Sequence, residues 1–129
     1  MANKPEYYVA MAVSQYLKVK YPNVIFRFDQ AGYNLSIAQA GMNKAIQMRE
    51  FKYPDLFIAK PNKRYAGMYL EIKKDGENLY KKDGKTYKTD HLLGQRQAMG
   101  KLIDAGYFAS FAIGFDQAKS IIDNYMKID

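Results

Sequence analysis

The chain has 129 residues, 48% of them hydrophobic, and a formal net charge of +7. That length is enough for one domain with a buried core. The lack of cysteine and the single histidine, His91, exclude a disulfide framework, a thiolate zinc site and a histidine-rich metal cage, so any metal must be held mainly by oxygen. The opening MANKPEYY lacks the basic-then-apolar pattern of a signal peptide, and no apolar run approaches the roughly 18 residues that span a bilayer. A cytoplasmic protein without membrane association is expected.

In chain order, Pro5 suits a first helical turn. Tyr8, Val9, Ala12, Val13, Tyr16 and Leu17 recur at helical spacing, predicting an apolar face up to about Lys20, where Tyr21-Pro22-Asn23 ends the helix. Glu6 falls in the first turn, where a carboxylate already favours the helix dipole. Val24 to Phe28 predict a short strand with Arg27 directed away from the core. Residues 29–50 form a polar bridge carrying a helix from about Ser36 to Met48. Ser36 caps it, and Ile37, Ala40, Met42, Ala45, Ile46 and Met48 give a broken apolar stripe. Lys44, Gln47, Arg49 and Lys52 precede the next strand, placed either to meet a phosphate backbone or simply as solvated helix residues.

Tyr53 to Lys73 predicts two strands bearing acids. Asp55 opens the run Leu56-Phe57-Ile58, and a Pro61-Asn62-Lys63-Arg64 turn leads to Met68-Tyr69-Leu70-Glu71-Ile72-Lys73. Side chains alternate along a strand, so Met68, Leu70 and Ile72 enter a core while Tyr69, Glu71 and Lys73 share the opposite face. If the two strands pair, two carboxylates and a lysine converge, which suffices to hold a divalent metal beside a phosphate. An ordinary strand ion pair is the simpler reading, but paired acids on an inward face are expensive without a cation.

Further on, Leu79-Tyr80-Lys81 and Thr86-Tyr87-Lys88 flank an Asp-Gly turn, predicting a hairpin that carries Lys81, Lys82, Lys85 and Lys88 with two tyrosines. Such a ribbon suits nucleic acid or a dimerisation arm. Thr89 or Asp90 caps a helix to about Ala105, which Gly106 ends. Gln95 shares its inward face with Met99, Leu102 and Ile103, so the amide needs a hydrogen-bond partner, either the metal site or its lysine. Gln97 is expected to be exposed, and His91 to be structural or solvated. Tyr107 to Gly114 predicts an apolar strand buried on both faces. Asp116 then begins a helix with Ala118, Ile121, Ile122, Tyr125 and Met126 inward. The order of elements describes an α/β sandwich in one domain, residues 1–129.

The charge is unevenly placed. Residues 44–101 hold 14 Lys or Arg against 7 Asp or Glu, a difference of +7, while the remainder holds 6 of each. The whole excess surrounds the acidic strands, as suits a polyanion whose condensed counterions can be released. A merely solvated lysine-rich surface is the plainer alternative.

Pro54-Asp55 followed by Glu71-Ile72-Lys73 resembles the PD-(D/E)XK nuclease signature. Gln95, ten residues and Gly106-Tyr107, with an early helix carrying Glu6, resemble its VRR-NUC branch, and the lysine-rich hairpin is similar to that of small phage-type members. Gly94 departs from the pattern where such members often have Glu, and Lys52 where they frequently have Gly.

The resemblance implies a restriction-endonuclease-like core, a central mixed sheet flanked by helices, with a basic hairpin insertion. It implies a magnesium- or manganese-dependent DNA endonuclease hydrolysing phosphodiester bonds, with Asp55, Glu71 and the Ile72 carbonyl as ligands and Glu6 joining directly or through water. Lys73 would position the attacking water and Gln95 would orient Lys73 or that water. Lys44, Arg49, Lys52, Lys74, Lys81, Lys82, Lys85, Lys88 and Arg96 are the candidate DNA contacts. A structure-specific, junction-cleaving homodimer acting in phage or bacterial replication, recombination or repair is expected, with branched DNA as partner and no small-molecule cofactor. A non-catalytic DNA-binding accessory protein and a nuclease of linear duplex are the alternatives.

Overall fold

A computed structural model describes residues 4–29, 36–48 and 51–129. The elements are α1 (Lys4–Lys20), β1 (Phe26–Phe28), α2 (Ile37–Ile46), β2 (Leu56–Ile58), β3 (Met68–Lys73), α3 (Asp90–Asp104), β4 (Phe108–Ile113) and α4 (Gly114–Met126). The four strands form one mixed sheet in the order β1-β2-β3-β4. The first three are antiparallel neighbours, and β4 lies parallel to β3 after a crossover through α3.

Alternation along β2 and β3 sorts the layers. Leu56 and Ile58 stand opposite Leu70 and Met68, and these four are fully buried together with Ile72. They meet Val13 and Leu17 of α1, Ala112 of β4, and Ala118, Ile122 and Tyr125 of α4 in one cluster. Burying each large aliphatic side chain contributes about 1.5–3 kcal/mol, so this layer dominates the stability. Tyr16 and Tyr21 donate from their hydroxyls to Asp123 Oδ1 at 2.6 and 2.7 Å, tying α1 to α4. The buried residues of α3, among them Leu92, Ala98, Met99 and Leu102, stand outside that cluster, and the helix packs along β4.

Several caps match their sequence signals. Ser36 and Gln39 form a reciprocal capping box at the start of α2, Thr89 accepts from Leu92 N at the start of α3, and Gly106, at φ +102°, follows the C-cap of α3.

Other expectations are corrected. α2 buries none of its residues: Ile37 is 94% exposed, Met42 71% and Ile46 81%. Its periodicity is real, but among the described residues nothing covers the stripe. Tyr8 and Ile103 also face solvent, because the helices they lie on are buried along narrower faces than the spacing implied. β4 is not buried on both faces; it is an edge strand in which only Ala112 is fully enclosed. The lysine-rich segment does turn back at Asp83-Gly84 as expected, but its pairing is one antiparallel bridge, Tyr80 to Tyr87, rather than a longer ladder, and Asp83 accepts from Lys85 N and Thr86 N to close the loop. Leu79 is buried beneath it, and Tyr87 packs toward Phe111 with ring centroids 6.1 Å apart.

Candidate active site

The acids meet because β2 and β3 are antiparallel neighbours. Leu56 pairs with Leu70, so one step further along the ladder Asp55 comes level with Glu71. Asp55 Oδ2 accepts from Ile72 N at 2.8 Å, which fixes its carboxylate against the middle of β3. Pro54 beside it is buried, and Asp55 itself is half-buried.

On the face opposite the apolar core, Glu71 and Lys73 are each only 5% exposed. Lys73 Nζ lies 3.9 Å from Glu71 Oε2 and 5.9 Å from the centroid of the Phe111 ring. Burial pushes the Glu71 carboxyl well above its ordinary value; the adjacent Asp55 carboxyl and Glu6 raise it further, and Lys73 opposes them without prevailing. Glu6, half-buried in the first turn of α1, is likewise raised by burial and feels Lys73 and Asp55. Its helix-start position therefore also brings it to the edge of the site.

The other flank is α3. His91 is held below its ordinary pKa by burial and by the Lys52 and Lys73 ammonium groups, so the first turns of α3 border Lys73. Lys52 Nζ stands 3.4 Å from His91 Nδ1. One turn beyond His91, Gln95 is buried, and its Oε1 has no hydrogen-bond partner among the described residues. The partner expected for this amide is thus not supplied by the protein atoms described.

The positions that depart from the family pattern touch each other. A Cβ on Gly94 would meet Lys52 Cε at 2.8 Å and Cδ at 3.1 Å, so the Lys52 stem occupies the space that a larger residue at 94 would need.

The predicted basic residues that the structure describes lie at the surface. Lys44, Lys52, Lys74, Lys81, Lys82, Lys85, Lys88 and Arg96 are all exposed, and Arg49 lies outside the described residues. Arg96 on α3 reaches Tyr87 of the lysine-rich loop, joining that loop to the helix.

Sequence reasoning missed an aromatic group on the same sheet face. Phe57 and Tyr69 have ring centroids 4.7 Å apart, and Tyr107 stands 5.3 Å from Tyr69. The signal was present: alternation had already put Tyr69 on the side of Glu71.

No family profile and no curated protein matches the sequence. Among solved structures, the chain superposes on a VRR_NUC domain protein with a TM-score of 0.64, covering 99% of this chain and 93% of that one at 24% identity. The fold is that of a VRR_NUC domain. Within this VRR_NUC-like, restriction-endonuclease-like α/β frame, Asp55 sits at the start of β2 and Glu71 and Lys73 at the end of β3.

Hard divalent cations prefer oxygen ligands, and the residues present fit one. The carboxylates of Asp55 and Glu71 adjoin each other, Glu71 is buried without adequate positive compensation, and Gln95 Oε1 is an unpaired buried acceptor. Among the described residues no three His, Cys, Asp or Glu side chains gather into a ready ligand set. The two adjoining carboxylates are what the described residues offer a cation.

Proposed function

We propose that this chain is a metal-dependent endonuclease that hydrolyses phosphodiester bonds of DNA. The observation carrying this reading is the convergence of Asp55, Glu71 and Lys73 on one sheet face, with Glu71 and Lys73 enclosed although charged. Charged groups so enclosed are costly to keep, which favours retention for chemistry over retention for stability.

Asp55, Glu71 and the Ile72 carbonyl would hold magnesium or manganese, with Glu6 joining directly or through water. When bound, the cation would acidify water and offset charge developing on the phosphate. Glu71 must lose its proton to serve as a ligand, so binding competes with the protonation that burial favours. Lys73, held between Glu71 and the Phe111 ring, would position the attacking water and stabilise phosphoryl oxygens as a fixed charge. Gln95 would orient Lys73 or the water through its unpaired oxygen.

The exposed Lys44, Lys52, Lys74, Lys81, Lys82, Lys85, Lys88 and Arg96 would bind the phosphate backbone, which gives affinity without sequence preference. A branched substrate cut by a homodimer, with paired sites matching a two-fold junction, is the substrate class proposed, in DNA replication, recombination or repair. Among the described residues no helix is long and apolar enough to cross a membrane.

Wild type, Asp55→Asn and Lys73→Ala are to be compared on four-way junction, flap and linear duplex DNA in magnesium. Cleavage by wild type alone, strongest on the junction, is the expected result. Equal cleavage by all three proteins would remove the nuclease reading, and a preference for linear duplex would remove the junction reading.

A further inference from the structure

Beside the acids, on the β1 and β2 side of the sheet, lies a cleft of about 430 Å³ of which the proposed hydrolysis uses only Asp55. Its floor is the open sheet face, with Phe57 and Tyr69 side by side. A second aromatic pair, Phe51 and Tyr53, with ring centroids 4.6 Å apart, lines it from the segment leading into β2. The opposite wall is the polar side of α2: Asn43, the one residue of that helix that is not fully exposed, and Gln47 just beyond its end. Gln47 Nε2 donates to Asn43 Oδ1 at 3.2 Å, a bond that leaves the Gln47 acceptor and the Asn43 donors for other partners. Asp55 and Asp29 also line it, as does Arg27, which is exposed.

Paired rings, amide donors and acceptors and an exposed guanidinium around one cleft, beside the carboxylates of Asp29 and Asp55, match a single planar heteroaromatic ligand on a phosphate chain. We propose that the cleft receives one unstacked nucleobase of the DNA strand whose phosphate lies against Asp55. This rests on the nuclease reading and adds to it a base-binding subsite.

The physical case has three parts. Aromatic side chains stack on any base, because every base presents a π face, and they do so without sequence preference. The amides of Asn43 and Gln47 can bond a base edge, a demand that an aliphatic ligand does not meet. Extruding a base is least costly where DNA is already unpaired, as at a branch. The cleft would thus favour branched or frayed DNA over intact duplex. α2 suits the role of outer wall because none of its residues is buried, so it can shift to admit a ring without breaking the core.

The test is fluorescence anisotropy in EDTA, so that nothing is cut, with two labelled single strands of equal length: one carrying bases, the other a central run of abasic tetrahydrofuran residues. Both present the same phosphates. Wild type should bind the base-bearing strand about five- to a hundredfold more tightly, the range that stacking of one base supplies. Tyr53→Ala and Gln47→Ala should reduce this preference while leaving affinity for the abasic strand unchanged, and Tyr53→Phe should restore it, since stacking needs the ring and not the hydroxyl. Circular dichroism melts confirm that each variant is folded. Equal wild-type affinity for the two strands overturns the proposal, as does an equal drop on both strands in the variants or a failure of Tyr53→Phe to restore the preference. Cleavage by wild type but not Asp55→Asn, scored separately, tells loss of this subsite from loss of the nuclease reading.

Discussion

Replacing Glu71 by Gln is expected to make the metal-free protein more stable while ending its activity. The attraction between Lys73 and Glu71 at 3.9 Å is about 4 kcal/mol at an effective dielectric of about 20. Asp55 opposes it, and enclosing the charge costs several kcal/mol more. Those opposing effects win, which is why the Glu71 carboxyl is raised rather than lowered. An acid raised on folding makes stability fall as pH climbs from its unfolded value, about 4.3, through its folded one. Gln copies the protonated form and removes that loss, so a gain of about 1–2 kcal/mol at pH 8 is expected, typical of relieving a strained functional site. With an unfolding entropy of about 2.1 cal/mol/K per residue over 129 residues, or about 0.27 kcal/mol/K, the melting temperature rises by about 4–7 °C. Magnesium should reverse the order, stabilising wild type by mass action and leaving Glu71→Gln unmoved. Differential scanning fluorimetry in EDTA and in a magnesium series reads both effects. A Glu71→Gln protein that melts below wild type in EDTA at pH 8 would refute the account of the site, and equal magnesium stabilisation of both proteins would refute Glu71 as a ligand.

Three further outcomes are expected. Tyr21→Phe removes one of the hydroxyls donating to Asp123, whose carboxyl is raised by burial but held below its ordinary value by hydrogen bonds from Tyr16, Tyr21 and Lys119 that outweigh it. The cost is about 1 kcal/mol at pH 7 and shrinks as pH falls below the ordinary aspartate value of about 3.9, which urea unfolding at several pH values measures. Gly94→Ala gains about 1 kcal/mol of helix propensity and pushes the Lys52 stem away from α3; with that ammonium gone, His91 should titrate at higher pH by NMR, and an unchanged titration would mean that Lys52 does not act on it. Changing Lys81, Lys82 and Lys85 together to Ala should lower the slope of log affinity against log salt for duplex DNA by about 0.9 for each phosphate that is no longer neutralised, whereas an unchanged slope would take the loop out of the interface.

The alternation through Met68–Lys73 determined by itself that Glu71 and Lys73 share one face of their strand, and the Pro-Asp before Leu56 put a carboxylate at the start of the strand before it, since a strand period of two is local and survives any packing; that the two strands pair was left to the fold. The caps at Ser36 and Thr89 and the stop at Gly106 were legible for the same reason: each depends on residues within a few positions. Periodicity tells which residues share a face and leaves open what covers that face. The stripe of α2 is regular yet bare, Ile103 is in phase with Met99 yet exposed, and β4 is apolar yet lies at an edge. Only the tertiary structure decided that Glu71, Lys73 and Gln95 are each enclosed, that Glu6 comes within electrostatic reach of Lys73, and that Lys52 fills the space above Gly94. Burial and long-range proximity depend on elements far apart in the chain, and in this protein they turned a row of charges into a candidate site.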